Sequence, residues 1–555
     1  MVTTRVRFLR FGLLIAGFST LTVALTWPLA AHLWDHVIDV SCFGPVGAMW
    51  RQDIFFTMWV LAWGTHALTT DPAQLWNANV LRPMAMPLAG SEHMLGYQWL
   101  FAPLYLTTNN PVFAQQLIVF LTFVFTGVAM ALLVREVTGS EPAAWVAGCA
   151  LAFCPWRYGE LSRVQMLGTF YLPLVVLCLA RYLRGTDWRA LAVMCVCLVL
   201  QALTSFYLGY FAFAIVGLLL LPSLLTRALT MRQVTSITVA LIVAAAILVP
   251  FSLPYTQLRA AGVIPTDPYA DPGAMAFFLL ARPWLNVPRS LGFVAIALAL
   301  LGCRRLKHEL WPGRAALLTL AAGGYVLALG PALPVSGRLI PLPYRILGWF
   351  VPGLSAVRYP MRFGLLLAFA VALLAGRGVA SVAEQLRFRT RGPLLTVLFA
   401  VVATAALVME ARTFPGGRVA LTPVAVGNAV PPVYHWLRDH GDGGVVVEVP
   451  AGDDTFKGYY RETVYMYFST YHWLPLVNGF TGYPTPESTA ARATARRLPD
   501  ATALQSLRAT TDLRWVVVHR AQLDPAAQSA WLAAGQQWHK AAELGGDVVF
   551  DVASP

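Results

Sequence analysis

Charge is what this 555-residue sequence has least of: 12% of its residues are Asp, Glu, Lys or Arg, against 57% hydrophobic, and mean hydropathy is +0.61. A soluble domain carries about 25% charged residues, so a soluble protein is excluded and a polytopic membrane protein remains. Lysine is scarcer still. It occurs at Lys307, Lys457 and Lys540, so the net charge of +13 comes almost wholly from arginine. Those arginines are scattered through short segments between apolar runs and form no stripe, which excludes nucleic acid as a partner. Cysteine supplies no disulfide framework. Six of the seven (Cys149, Cys154, Cys178, Cys195, Cys197 and Cys303) fall in or at the ends of apolar segments, where Cys packs as a small hydrophobe, and Cys42 alone lies in a loop. No internal repeat is visible, which weakens the case for a transporter built from inverted halves.

Apolar runs are what the chain has in quantity. They predict spans near 11–31, 112–134, 143–156, 166–183, 190–204, 206–225, 235–251, 288–303, 315–330, 363–382 and 393–410, eleven in all. The first reaches Ala31, which is span length, so it reads as an uncleaved helix and not as a signal peptide. The third is short and ends at Pro155. The long run 190–225 is divided at Gln201–Ser205 because the whole exceeds one crossing. Arg5, Arg7 and Arg10 precede the first run, and Arg135, Arg181, Arg184, Arg189, Arg227, Arg232, Arg304, Arg305, Lys307, Arg314, Arg387, Arg389 and Arg391 fall in short loops. The positive-inside rule then places the N-terminus in the cytoplasm and, with an odd span count, the C-terminus outside.

The outer segments, about 32–111, 252–287 and 331–362, are longer and more mixed. Beyond residue 410 the composition becomes that of a soluble module, with β-rich runs at 444–449, 514–519 and 547–550 and helical patterns near 431–440, 497–507 and 524–538. The expected fold is therefore an α-helical polytopic membrane protein of about eleven transmembrane helices, residues 1–410, with a small extracytoplasmic α/β domain, 411–555.

Trp50-Arg51-Gln52-Asp53 opens an apolar run of about ten residues, a length that lies in the interface or re-enters the bilayer. Trp50, Trp59 and Trp63 flank the acid, and tryptophan prefers headgroup depth. Two readings stay open: a functional juxtamembrane acid, or an Asp that caps the following helix.

A basic N-terminus and first span, a long first outer loop with an acid near its start, many further spans and a terminal exported domain together resemble the GT-C superfamily. Its members are polytopic membrane glycosyltransferases that draw sugars from polyprenyl-phosphate donors. More narrowly, Ser91-Glu92-His93-Met94-Leu95-Gly96, the stretch Val357 to Phe363 and the stretch Tyr471 to Phe480 are similar to bacterial YfhO-like membrane proteins. The resemblance implies a multi-pass enzyme of the bacterial cytoplasmic (inner) membrane, moving a sugar to an envelope glycan or glycolipid acceptor on the outer face. It implies Asp53 as the catalytic carboxylate. The superfamily often pairs that acid with a second two residues away. Here residue 51 is Arg and residue 55 is Phe, so the pair is missing and a Mg²⁺ or Mn²⁺ cofactor stays an open question.

Glycosyl transfer to a hydroxyl needs a base, and a positioned carboxylate supplies about 10²- to 10⁴-fold. Glu92 and His93 are candidates to assist it, unless Ser91 caps a helix with Glu92 in its first turn. A departing phosphate needs cations, for which arginine geometry is suited. Arg157, Arg358 and Arg362 are outward-facing candidates, the last two sharing a face if Pro360 starts the tenth span. Gln165, His472 and Asn478 complete the substrate-binding candidates, the last two in an aromatic stretch, Tyr459 to Tyr483, that suits either a sugar or a domain core. Two other readings are a flippase for lipid-linked saccharides, which expects charges deep in spans where Arg377 and Glu410 are the few evident, and a non-catalytic envelope scaffold.

Overall fold

The computed structural model describes residues 2–43, 47, 50–267, 269, 272–304, 311–335, 338–386, 391–413 and 419–553; Arg305, Lys307, Arg387 and Arg389, expected in basic loops, lie outside them. The protein is mostly helical, and each of the eleven apolar runs contains a helix. Among the described residues seven segments are long and apolar enough to cross a membrane: Phe8–Thr26, Pro111–Thr138, Val164–Gly185, Phe206–Leu225, Met231–Ala260, Pro360–Leu386 and Gly392–Thr413. The pair Pro283–Arg289 and Phe293–Gly302, bent by 82°, would make an eighth. Among the described residues, three of the expected eleven are too short by that measure. Glu141–Ala152, Trp188–Thr204 and Arg314–Ala328 have 12, 17 and 15 residues. At 1.5 Å per residue they extend about 18 to 26 Å, less than a hydrocarbon core of about 30 Å.

Eight strands occur among the described residues: β1 (His36–Ile38), β2 (Ala332–Val335), β3 (Arg338–Pro341), β4 (Leu421–Pro423), β5 (Val445–Val449), β6 (Leu513–His519), β7 (His539–Leu544) and β8 (Asp547–Asp551). The chain forms two compact units.

The first unit comprises Met1–Ala31, Val119–Phe251 and Pro265–Val419. Its long helices are continuous apolar segments broken where backbone chemistry demands it. Ser205, in extended conformation, separates Trp188–Thr204 from Phe206–Leu225. Helices Phe293–Gly302 and Gly364–Leu386 meet backbone to backbone, since a Cβ on Gly302 would collide with the Leu374 carbonyl and one on Gly378 with that of Leu298. Arg10 and Arg135 reach Glu141 at 3.4 and 3.1 Å, while Arg181 and Arg184 reach Glu136 at 2.8 and 2.7 Å. The start of the first span thus gathers with the end of the second, and the end of the fourth expected run with that same end. Glu410 accepts the N–H groups of Phe293 and Val294, so this charge near a span end caps a helix.

The second unit comprises His32–Ile118, Ser252–Ile264 and Ala420–Pro555. The long segment after the first span and the C-terminal stretch, assigned by chain order to different domains, therefore fold together. Backbone hydrogen bonds make the join. β1 pairs with β4 antiparallel, with His36 opposite Pro423. Leu81 and Arg82 donate to the carbonyls of Asn478 and Leu476 at 3.0 and 2.9 Å, and Leu476 donates back to Asn79 at 2.8 Å. A four-stranded sheet of order β5-β6-β8-β7, with β5 and β6 parallel and the rest antiparallel, holds the apolar core. Val447, Leu507, Val516, Val518, Trp531 and Phe550 are buried in it.

Candidate active site

Asp53 lies in the first turn of helix Gln52–Thr70, a 19-residue element of the second unit whose side chains are mostly buried. Asp53 itself is partly buried. Arg51, not Asp53, occupies the cap position, and its own side chain makes no cap hydrogen bond. Asp53 is therefore not the N-cap residue, and an acid in a first turn gains from the helix dipole. The helix is not among the candidate spans. Its tryptophans do not mark a headgroup belt: Trp59 and Trp63 are buried within the unit, donating to Asn79 Oδ1 at 3.2 Å and to the Leu75 carbonyl at 2.8 Å. The apolar face packs on helix Phe456–Ser469 and the loop after it, with Phe55 against Tyr460 and Tyr467, and Phe56 against Phe480. This places much of the Tyr459–Tyr483 stretch in a packed interior.

Arg51 stacks over Tyr460 and approaches Asp39 at 3.4 Å. Burial would raise the Asp39 carboxyl, but hydrogen bonds from Ser41 and Thr422 and the Arg51 charge outweigh it and hold the group below its usual value. Asp71 caps the short helix Pro72–Gln74. These two acids have structural work.

Glu92 is partly buried and His93 fully so. Ser91 caps no helix: residues 91–94 are irregular, and the next α-helix begins at Gln98. His93 Nδ1 accepts the Leu95 N–H at 3.1 Å, across Met94 in the left-handed region with φ 50°. The same turn recurs at His472, whose Nδ1 accepts the Leu474 N–H at 3.0 Å across Trp473 with φ 56°. Burial pushes both imidazoles down to about 3. With Nδ1 accepting, the single proton of each neutral ring sits on Nε2, so each ring can offer a donor and not a base. Among the described residues Glu92 and His93 join no group of three or more His, Cys, Asp or Glu side chains close enough to share an ion. Asn478 is buried and fully engaged: its Oδ1 accepts the Glu448 N–H at 2.6 Å, and its Nδ2 donates to the Glu448 carbonyl and Glu462 Oε1 at 3.1 and 3.3 Å.

The arginine candidates belong to the first unit. Arg157 is completely buried; it donates to the Leu167 carbonyl and to the hydroxyls of Thr169 and Thr122, and its guanidinium lies 4.6 Å over Phe123. It acts as an internal brace. Arg358 is exposed and precedes the helix, because Tyr359, before Pro360, is not helical, with φ −130° and ψ 74°. Arg358 and Arg362 consequently do not share a helix face. The Arg358 backbone is pinned by Tyr207, whose hydroxyl accepts its N–H at 3.1 Å, and by Tyr269, which donates to its carbonyl. Arg362 makes a two-pronged bond to Glu160 at 3.2 and 3.3 Å and lies over the rings of Tyr207 and Tyr359. Arg163 bonds the same carboxylate at 3.2 Å.

Glu160 is the residue that sequence reasoning missed. Its signal was a carboxylate in Pro155-Trp156-Arg157-Tyr158-Gly159-Glu160, between two apolar runs where the arginine alone was singled out. Nearby, Gln165 Oε1, Gln201 Oε1 and the Tyr158 hydroxyl are buried with no hydrogen-bond partner. Such orphaned atoms cost about 1–3 kcal/mol each unless a ligand or water meets them.

No family model matches the chain, and no curated protein matches it in sequence. Solved structures do. It is similar to the arabinofuranosyltransferase AftD from mycobacteria, with TM-score 0.55 at 15% identity over 98% of this chain and 40% of that one. The chain shares the fold of that structure. Two structures of an AftD variant give TM-scores of 0.52 and 0.55 at 16% identity, over 98% and 92% of this chain and 41% of theirs. The chain thus spans about two fifths of the length of the structures it matches. At this identity the likeness is one of fold. With the apolar helices it makes this a multi-pass membrane protein.

Proposed function

We propose that the chain is a GT-C type glycosyltransferase of the bacterial inner membrane, moving a sugar from a polyprenyl-phosphate donor to an envelope acceptor on the outer face. The observation that carries this reading is Asp53: an acid in the segment after the first span, in the first turn of a helix whose N-cap is Arg51, within a GT-C-like fold. Asp53 takes the proton of the acceptor hydroxyl as its oxygen bonds the anomeric carbon. The bond from that carbon to the phosphate oxygen breaks, and the phosphate leaves with the electron pair. A single displacement of this kind inverts the anomeric centre. In the first unit, Arg358 and Arg362 carry charges suited to a phosphate group, and Glu160 sets the position of Arg362. The orphaned oxygens of Gln165, Gln201 and Tyr158 favour a polyhydroxylated or headgroup ligand near Arg157. In the other unit His472 Nε2 is a buried donor without a partner.

The test uses the full chain in nanodiscs with a panel of polyprenyl-phosphate sugars. Asp53→Asn is expected to lower transfer by about 10²-fold or more while the unfolding temperature is unchanged. Full activity in that variant removes the proposal.

One observation favours a second reading. Arg377 is buried within Pro360–Leu386, and an ionisable residue inside a span is a mark of transport pathways. Movement of labelled lipid-linked saccharide across proteoliposomes in the Asp53→Asn chain, lost in Arg377→Leu, would support a flippase.

A further inference from the structure

We propose that His32, Asp35 and His36 form a binding site for a divalent transition-metal ion of the zinc type. Each residue offers one ligand atom, and the three atoms lie within 4.8 Å of one another; among the described residues no other group of three or more His, Cys, Asp or Glu does so. The rings of His32 and His36 are 4.6 Å apart, and His36 Nδ1 is 2.7 Å from Asp35 Oδ1. Ligand atoms about 2.0–2.1 Å from a tetrahedral ion stand roughly 3.3 Å from each other, so small side-chain rotations close the cluster. Two imidazoles and one carboxylate select Zn²⁺ over Mg²⁺ or Ca²⁺, which prefer oxygen ligands throughout.

The backbone fixes this turn before any ion arrives. The His36 N–H donates to the His32 carbonyl at 3.2 Å, which closes one helical turn and brings the two imidazoles to the same side. Val424 donates to the Asp35 carbonyl at 2.8 Å, and Asn110 Nδ2 to that of Trp34 at 2.7 Å. From His36 onward the chain is paired in the β1–β4 ribbon. A turn held at three successive residues has little ordering entropy left to lose on binding. Three protein ligands leave a fourth position for water, the arrangement of an open site. The ion would clamp the turn to the ribbon and so stabilise the folded state by mass action. The proposal uses neither Asp53 nor the proposed sugar transfer.

The experiment is a titration of the full chain in detergent, freed of any affinity-tag histidines and stripped with EDTA. We expect one Co²⁺ per chain with the visible absorption of a four-coordinate site, displaced by Zn²⁺ and untouched by excess Mg²⁺. His32 is exposed, so His32→Ala should leave unfolding of the metal-free chain unchanged. It should weaken Zn²⁺ binding by at least about 100-fold, since even the outer partners of metal ligands are worth about 10- to 100-fold. His440→Ala, at another exposed imidazole, should bind as the parent does. Failure of the parent chain to bind Co²⁺ and Zn²⁺ at one per chain, or undiminished binding in His32→Ala, overturns the proposal.

Discussion

Glu160 and Glu448 are both carboxylates folded out of water, one in each compact unit, and their surroundings push them in opposite directions. Burial raises both. At Glu160 the charges and hydrogen bonds of Arg362 and Arg163 more than cancel it, and the group is held below its usual value. At Glu448 burial wins, although His519 Nε2 lies 2.9 Å away and the Tyr434 hydroxyl donates at 2.7 Å. The difference lies in the partner. Arginine keeps its charge at any working pH, whereas histidine can surrender its proton. His519 also meets Asp547 at 3.1 Å; burial alone would depress the imidazole, but the hydrogen bonds it donates to Asp547 and Glu448 lift it to about 9. The first cluster is a fixed ion set. The second is a proton-sharing network inside the β5–β6–β8 sheet.

The largest test of this contrast is truncation. Glu160→Ala leaves two arginines buried against each other, and losing one partner of a buried ion set costs about 3–5 kcal/mol. Glu448→Ala leaves a His519 that can deprotonate or lean on Asp547, so the cost should approach that of an unmade hydrogen bond, about 1–3 kcal/mol. Unfolding midpoints of the two variants in detergent should rank accordingly, and equal losses would break the contrast. Next in size is the response to alkali. His519 has its folded pKa raised above the ordinary value of 6.5, so its stabilisation is complete below that value and is lost as pH rises through about 9. Hydrogen exchange in β6 should accelerate between pH 8 and 10 while residues 157–169 stay protected. Glu448→Gln should move that acceleration to lower pH. For Glu160 the sign reverses: its contribution is present above the ordinary carboxylate range and is lost as pH falls below it.

The same contrast explains what the sequence could tell. Spans were legible because apolar runs are local, and β5, β6 and β8 were legible because β-branched residues cluster there. Span length failed at 143–156, where Pro155 ends the run but hydropathy alone does not say that the helix stops at Ala152. The pairing of the 32–118 segment with the C-terminal stretch was invisible, since Asn79 and Ser469 meet across 390 residues. Among the candidate residues, position in the chain singled out Asp53 in one unit and the arginines in the other. It could not reveal that Arg157 turns inward, that Arg358 stands before the helix, or that Glu160 holds Arg362, because each depends on which residues of other helices lie opposite.

The smallest effect separates His519 from its buried counterparts in the same unit. His93 and His472 are pushed down to about 3, where His519 is pushed up. For a histidine kept neutral on folding, the stabilisation is present above 6.5 and is lost as pH falls from there toward 3, because the unfolded chain takes up the proton first. Each therefore contributes one proton to the acid sensitivity of the second unit. Asn can replace His in such a turn, since its side-chain oxygen accepts an N–H two residues on and carries no proton of its own. His472→Asn should keep the Leu474 hydrogen bond and near-parent stability at pH 7.5, yet flatten the fall in unfolding free energy between pH 6.5 and 4 by about one proton's worth, about 1.4 kcal/mol per pH unit at its steepest. An unchanged slope would mean that His472 titrates in the folded protein as it does in the open chain, and that burial at this turn is not what sets its charge.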